Sequence, residues 1–408
     1  MSRKVGVCFI GMNGAVATTT IAGLMLLKKS LVEPIGMISE TYLNTDLKTI
    51  EQISRSNSRK ISGLLKLCAL EDVVIGGWDI NTANNVYETS FHYSIINRNL
   101  LEKVKNELSI LYPWEPCTVN KSGKLIANVD QIKNDLRTFK KDKKVDSLIV
   151  IDLGPTERTI ELRYYHQDIK EFNKALQDGR KGITPSMIYA YASLQSNAAF
   201  IEFTPNMSIE TPALRSIAYE ENIPTAGKDG KTGQTFIKSV LAQALRSRNL
   251  FINGWYSTNI LGNNDGKNLL YIEKRKSKLK TKRDLLDIIV GYSVPNHLID
   301  IVYYPPRGDN KEAWDNIDIK AFTNKNIQIK VNFLAADSIL AAPLVIDLIR
   351  FMDYSLKNNL KGTQTWLSLY FKKPIDSTIC GYFDQEKLFI NYIMKQIMNE
   401  EIRGRGKK

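Results

Sequence analysis

Two polar segments in the second half of the chain hold residues whose types and spacing could do chemistry. The first is Gly227-Lys228-Asp229-Gly230-Lys231-Thr232-Gly233-Gln234-Thr235. Its glycines free backbone amides to approach an oxyanion, and its threonine hydroxyls can donate to a phosphate. The second is Leu261-Gly262-Asn263-Asn264-Asp265-Gly266-Lys267-Asn268-Leu269, followed by a basic run from Lys274 to Arg283. Consecutive Asn and Asp between glycines suit a tight polar turn, and the amides can both donate to and accept from a hydroxyl-rich ligand. Taken alone, each segment also reads as a solvated surface turn. A third feature lies near the N-terminus, where Gly11, Asn13, Gly14 and Ala15 follow the apolar run Lys4 to Ile10. Small residues there let amides approach a pyrophosphate, and the next helix would point its positive end at the same place. Asn13 holds the second glycine position of G-x-G-x-x-G, so the turn departs from the standard dinucleotide fingerprint. The acidic ribose partner has two candidates, Glu40 and Asp79, the latter within Gly76-Gly77-Trp78-Asp79-Ile80-Asn81.

These residues need a scaffold. Lys4 to Ile10 reads as a strand, the residues to Leu27 as an apolar helix, and Pro34 to Ile38 as a second strand, which together make a βαβ unit with a parallel sheet. Val73 to Ile75 and Ser147 to Leu153 are further strands, the second apolar enough to be buried on both faces. Ser186 to Ser193 and Thr211 to Glu220 look helical, with Ala199 to Phe203 strand-like between them. Beyond about Ala226, turn clusters alternate with strand-like runs at Asp300 to Tyr304 and Ile327 to Phe333, which suggests an α+β layer with an open sheet. Ser338 to Asp353 and Gln364 to Phe371 read as helices, and the basic tail Ile402 to Lys408 as frayed. The expected fold is α/β. A dinucleotide-binding domain over 1–226 is interrupted by an α+β domain over 227–337, and C-terminal helices over 338–408 rejoin the first.

The bulk composition narrows the function classes. At 408 residues, 43% apolar and 24% charged, the chain has the texture of a globular protein with more than one core. The nearest approach to a membrane helix, Ile21 to Leu27, is short and ends in Lys28-Lys29, so no membrane partner is expected. Met1-Ser2-Arg3-Lys4 runs directly into a strand without a cleavage site, which does not read as a signal peptide. Cys8, Cys68, Cys117 and Cys380 are far apart and fit free thiols in a reducing cytoplasm. The net charge of +13, from 56 basic and 43 acidic residues, raises an anionic small molecule or a nucleic acid as partner. The Lys274 to Arg283 run has no interleaved aromatics for base stacking, so nucleic acid is not expected. His92, His166 and His297 show no ligand spacing, which argues against a tight zinc site.

The two polar segments together resemble the myo-inositol-1-phosphate synthase family. Its G-x-D-x-K-[ST]-G-Q-T-x-x-K-S-V stretch is matched by Gly227 to Val240, and its L-G-N-N-D-G-x-N-L is matched without change at Leu261 to Leu269. Gly76 to Asn81, Thr156-Glu157-Arg158, Pro185-Ser186, Asp337-Ser338 with Pro343, and Leu367 to Pro374 match in order, from near residue 5 to about 375. The match is closest to the compact prokaryotic branch, because the chain is shorter than the long eukaryotic members and lacks their Gly-Gly-Asn-Asn-Gly turn.

The resemblance implies a Rossmann-type NAD-binding domain and a redox-neutral cyclisation of glucose 6-phosphate. The sugar would be oxidised at C5 with bound NAD, enolised at C6, closed by attack of C6 on the C1 aldehyde, and reduced again at C5, giving 1D-myo-inositol 3-phosphate. Counting from the Asn-Asn-Asp motif, the resemblance puts Ser277, Lys278 and Lys282 on the family's S-K-x-x-x-K. The two lysines are i,i+4 and share a helical face, where repulsion and burial would lower an amine pKa. It implies proton transfer at the C5 hydroxyl by Lys278 and phosphate or oxyanion contact by Lys282. Lys311 becomes a third cation, and Lys372 supports the aldol step. The implied cofactor contacts are Gly11, Asn13, Gly14, Ala15, Asp79, Thr156, Ser186, Asp229, Asn264, Asp265, Asp309, Asp337 and Ser338. The implied substrate contacts are Thr232, Gly233, Gln234, Asn263 and Ser277. Here Ser277-Lys278-Leu279-Lys280-Thr281-Lys282 lacks the glutamate of the family's S-K-E-I-S-K. A monovalent cation or a weakly held Mg²⁺ or Mn²⁺ on Asp229, Asp309 or Asp337 stays open, and the resemblance implies a homotetramer built through the middle-domain sheet. The competing readings are another sugar-phosphate cyclase or dehydrogenase using NAD, and a nucleic-acid-binding protein.

Overall fold

The computed structural model describes residues 3–43, 59–117, 125–262, 266 and 285–405. The Val5–Ile10 strand, β1, is apolar along its length because it lies inside a parallel sheet with both faces covered. It pairs with β2 (Val73–Trp78) on one side and β3 (Ser147–Asp152) on the other. Next to β3 come β4 (Ala199–Glu202), β5 (Pro224–Gly227) and the short β10 (Gly362–Thr363), giving the parallel order β10-β5-β4-β3-β1-β2. Helix α1 (Ala15–Lys28) follows β1, but the next strand is not at Pro34 to Ile38. Those residues form a turn leading into a 3-10 segment at Ile38–Glu40, and the crossover closes on β2 instead. Pro34 has no amide for a ladder, and Gly36 adopts a φ of 85°, so the apolar run through Ile35, Met37 and Ile38 cannot continue as a strand.

The other longer helices are α2 (Val86–Tyr93), α3 (Ile126–Lys143), α4 (Ile169–Asp178), α5 (Pro185–Leu194), α6 (Pro212–Glu220) and α7 (Gly233–Ser247), with α8 (Asp337–Lys357) and α9 (Tyr382–Arg405) near the end. A second sheet has the order β7-β6-β8-β9, made from β6 (Phe251–Leu261), β7 (Asn296–Tyr303), β8 (Asn310–Lys320) and β9 (Asn326–Ala336). Its inner face buries Ile252, Trp255, Ile317 and Ile319 against Ala242 and Leu245 of α7 and against Leu285 and Leu286. Its outer face leaves Tyr256, Leu298, Val302, Trp314 and Leu334 exposed. The segment expected as a helix from Gln364 to Phe371 is a 3-10 turn at Thr365–Tyr370, and helix α9 runs on to Arg405 in the tail expected to fray. No helix among the described residues is long and apolar enough to cross a membrane.

Helix α8 returns to the first sheet, packing on α1 and beneath β3, β4 and β5. Its buried Asp347 accepts from Ile38 N at 2.6 Å, Ser39 N at 3.3 Å and Tyr370 Oη at 2.9 Å, so one carboxylate ties the β1–β2 crossover to the C-terminal segment. Burial pushes its carboxyl up to about 6, against the opposing hydrogen bonds. The folded state therefore holds this proton more tightly than the unfolded chain, whose carboxyl titrates near 4. Stability from this group is complete below about pH 4 and is lost as pH rises through about 6. Asp347→Asn should remove that component, so subtracting the variant's Tm–pH curve from the parent's should leave a step falling between those values. Scanning calorimetry at stepped pH checks it.

Candidate active site

At the end of β1, Gly11 turns with a φ of 80°, and the amides of Gly11 and Met12 both donate to Trp78 O, at 2.9 and 3.0 Å. Asn13 N donates to Asp79 Oδ2 at 2.9 Å, and Asn13 Nδ2 donates to the carbonyls of Asn81 and Asn84, each at 2.8 Å. This accounts for asparagine at the second glycine position, because the side chain clamps the β1–α1 turn to the segment beyond β2. Gly14 starts α1 with no side chain capping it, so the first-turn amides and the positive end of the helix face outward from the turn. A Cβ on Gly14 would sit 3.0 Å from Gly11 O, which keeps the turn tight enough for a pyrophosphate to approach. Of the two candidate acids, Asp79 stands at the carboxyl end of β2 beside this turn. Glu40 is instead paired with Arg350 at 2.6 Å and Lys60 at 3.2 Å. Burial raises the Tyr93 hydroxyl, and the charges of Asp79 and Asp309 add to the effect.

The motif residues around Thr156 and Ser186 dock on one another. Ser186 N donates to Glu157 Oε1 at 2.9 Å, Ser186 Oγ donates to Asp152 Oδ2 at 2.7 Å, and Asn206 Nδ2 donates to Ser186 Oγ at 3.0 Å. Asp152 and Glu157 are pushed up by burial and held by these donors. Sequence reading missed Asp152 and Asn206, and the one signal for Asp152 was an acid closing an otherwise apolar strand.

The loop after β5 pairs with the C-terminal segment. Lys228 N donates to Lys373 O at 3.0 Å, Lys372 N to Asp229 O at 2.7 Å, and Lys231 N to Tyr370 O at 2.7 Å. This pairing brings the Lys372 ammonium 2.8 Å from Asp229 Oδ1, with both side chains largely buried. Thr232 precedes α7, and its hydroxyl does not cap that helix but donates to Asp337 Oδ1 at 3.0 Å. Lys311 Nζ stands 3.6 Å from Asp337 Oδ2. The N-termini of α7 and α8 thus meet at Thr232 and Asp337 with a lysine beside them, an arrangement that can hold a phosphate. Ser338 is buried beneath that junction. Gln234 turns its amide inward to the second sheet, where Nε2 donates to Asp315 at 2.9 Å and Oε1 accepts from Asn259 at 2.5 Å. Lys231, another residue sequence reading passed over, is buried against Gln385 and Tyr382, and burial pushes its amine down to about 7.

Among the expected site residues, Asn263, Asn264, Asp265, Ser277, Lys278 and Lys282 lie outside the described residues. Gly262, which leads into that turn, packs against Gly308, where a Cβ would fall 2.4 Å from the Gly308 amide. Gly262, the last described residue before that motif, therefore lies beside the residue that precedes Asp309. Asp229 and Asp337 are each paired with a lysine, and no cluster of three metal-binding side chains occurs among the described residues.

A parallel sheet with a glycine turn, an acid at the end of β2, and lysines brought in by the second sheet and by the C-terminal segment define a dinucleotide-binding enzyme of the Rossmann type. The NAD-binding family described as Myo-inositol-1-phosphate synthase matches residues 5–397, and the chain belongs to that family. It is 38% identical over 392 residues to inositol-3-phosphate synthase 1 of Bacteroides thetaiotaomicron, covering 91% of this chain and 90% of the relative. The inositol-3-phosphate synthase of Dictyostelium discoideum is 29% identical, covering 88% of this chain and 76% of that one. The crystal structure of the Caenorhabditis elegans inositol-3-phosphate synthase shares the fold, with a TM-score of 0.86 at 22% identity over 97% of this chain and 86% of that one.

Proposed function

We propose that the enzyme converts D-glucose 6-phosphate to 1D-myo-inositol 3-phosphate. The observation that carries this reading is the pair of lysine–aspartate contacts, Lys372–Asp229 and Lys311–Asp337, on the loop and helix ends that join the two sheets. Bound NAD, for which Gly11, Gly14, Ala15 and Asp79 form the cradle, supplies reversible hydride acceptance. Lys311, Thr232 and the N-terminus of α7 hold the phosphate. Lys278 moves the proton at the C5 hydroxyl, and Lys282 contacts the phosphate and the developing oxyanion. Lys372, its charge oriented by Asp229, faces the alkoxide that forms at C1 as the ring closes. Incubation with glucose 6-phosphate and NAD⁺ should give an inositol phosphate, detected as periodate-released phosphate, without net NADH. Stoichiometric NADH would favour a dehydrogenase and sink the cyclase. Parallel assays with EDTA, Mg²⁺ and NH₄⁺ decide which cation, if any, assists.

The division into 1–226, 227–337 and 338–408 is part of the same reading, supported by the return of α8 and β10 to the first sheet. A homotetramer in the cytoplasm also belongs to it. The exposed Tyr256, Leu298, Trp314 and Leu334 on one face of the second sheet support assembly through that face, and sedimentation in solution tests it.

A further inference from the structure

Gln234, Lys238, Ala242 and Leu245 recur at helical spacing along α7, and all are buried. The stripe changes character along its length. Ala242 and Leu245 pack on Ile252, Trp255, Ile317 and Ile319. Gln234 and Lys238, at the end nearer the site, meet polar groups instead. Lys238 Nζ donates to Ser257 Oγ at 2.8 Å and lies 3.2 Å from His297 Nε2. Asp315 accepts from Trp255 Nε1 at 2.6 Å, Ser257 Oγ at 2.7 Å and Gln234 Nε2 at 2.9 Å. Burial pushes the Lys238 amine down to about 8, with the nearby Asp315 opposing the effect.

Charged groups are a poor way to anchor a helix if anchoring is all that is required. Desolvating a cation and a carboxylate offsets much of their attraction, and apolar residues of similar volume hold a helix as well or better. Directional hydrogen bonds add what apolar contact does not, a fixed height and rotation of the helix on the sheet. The polar end of the stripe leads directly into Thr232 and Gly233, and Thr232 meets Asp337 at 3.0 Å. Sites of this kind work only within about half an ångström of the productive geometry.

We propose that Asp315, together with Lys238 and Gln234, is a positioning group for sugar-phosphate binding. It sets the N-terminus of α7 at the height where the first-turn amides, Thr232 and Lys311 close on the phosphate. The Gln234 side chain is then a strut between helix and sheet, while its backbone amide stays among those facing the phosphate. The inference rests on the sugar-phosphate reading of this site.

The test is calorimetric titration of glucose 6-phosphate into the NAD-loaded enzyme, for the parent, for Asp315→Asn, and for Lys238→Met/Asp315→Leu. Titration of NAD into the same preparations reports the glycine turn on the first sheet. Asp315→Asn should weaken glucose 6-phosphate binding by about tenfold or more, the scale of loss for a displaced binding group. KM should rise more than kcat falls, and NAD affinity should stay within about twofold. The apolar pair should melt no lower than the single variant, yet bind glucose 6-phosphate no better. Normal glucose 6-phosphate affinity in a folded variant overturns the proposal, as does an equal loss of NAD affinity, which would mark general disorder. If Asp315→Asn does not fold, the apolar pair decides. A parent that binds glucose 6-phosphate but makes no inositol phosphate defeats the proposed reaction and leaves the positioning role standing. A productive parent whose apolar pair binds normally defeats the positioning role alone.

Discussion

Lys372→Ala should lower the turnover of glucose 6-phosphate by about 10³-fold, the scale seen when a preorganised group facing developing negative charge is removed. The backbone argues that the fold will survive the change. Lys372 N donates to Asp229 O at 2.7 Å, and the flanking pairs Lys373–Lys228 and Tyr370–Lys231 are also backbone contacts that need no lysine side chain. The variant loses the ammonium but keeps the segment that carried it. Asp229 Oδ1 then lacks its cation at 2.8 Å, and a few degrees of Tm should go with it, since both side chains are mostly shielded from water. NAD affinity should be largely kept, because the glycine turn is held by Trp78 O and Asp79, on the far side of the first sheet from the loop that carries Asp229. Product formation by periodate assay, with NAD binding followed by fluorescence, separates the two effects. Turnover within tenfold of the parent would remove Lys372 from the aldol step.

That prediction draws on a residue located from sequence, and the contrast with what sequence concealed is physical. The loop at Gly227–Thr235 was legible because turn chemistry is local, set by glycines and polar residues adjacent in the chain. The partners it acquires were not. Lys372 and Asp229 are 143 positions apart, and only the antiparallel pairing of two loops joins them. Strands β6 and β8 went unread although each spans eleven residues. Their inward positions hold Ser257, Asn259 and Asp315, so the apolar alternation that marks a half-buried strand is broken by the polar network beneath α7. The same network hid the direction of Gln234: a glutamine beside a phosphate-binding turn reads as a ligand until Asp315 and Asn259 are seen to take both ends of its amide. In the first half the error had the opposite sign. Pro34 to Ile38 looked like a strand because its residues are apolar, whereas the sheet waits for β2 at Val73. That longer crossover is what sends Ile38 and Ser39 under α8 to reach Asp347.

The choice between Glu40 and Asp79 shows what the parallel sheet adds. Spacing from the glycine turn left both open, and strand order favours Asp79. The acid that matters in a dinucleotide fold ends the strand beside β1, and that strand is β2, followed directly by Asp79. Glu40 sits in the crossover, neutralised by Arg350 and Lys60 as part of the scaffold.

The second large effect is expected at that turn. Gly11→Val should weaken NAD binding by about 100-fold or more, because the whole cradle depends on one backbone conformation. At a φ of 80° a β-branched residue is strained whatever space surrounds it. Here there is little space. A Cβ would lie 3.1 Å from Leu153 O and 3.3 Å from the Gly154 backbone, and backbone atoms cannot swing aside as a side chain can. Relief must come from moving the turn. That breaks the donations of Gly11 and Met12 to Trp78 O and draws Asn13 N away from Asp79, which stands 2.9 Å from it. Strain of this kind costs about 1–3 kcal/mol, so Tm should fall as well. Gly23→Ala in α1 supplies the contrast. Nothing lies within 4 Å of a Cβ there, and alanine in a helix interior should stabilise by about 0.5–1 kcal/mol with NAD affinity intact. Direct titration of NAD into both variants reads the difference. A Gly11→Val protein that still bound NAD like its parent would mean that the pyrophosphate rests elsewhere than on the turn between β1 and α1.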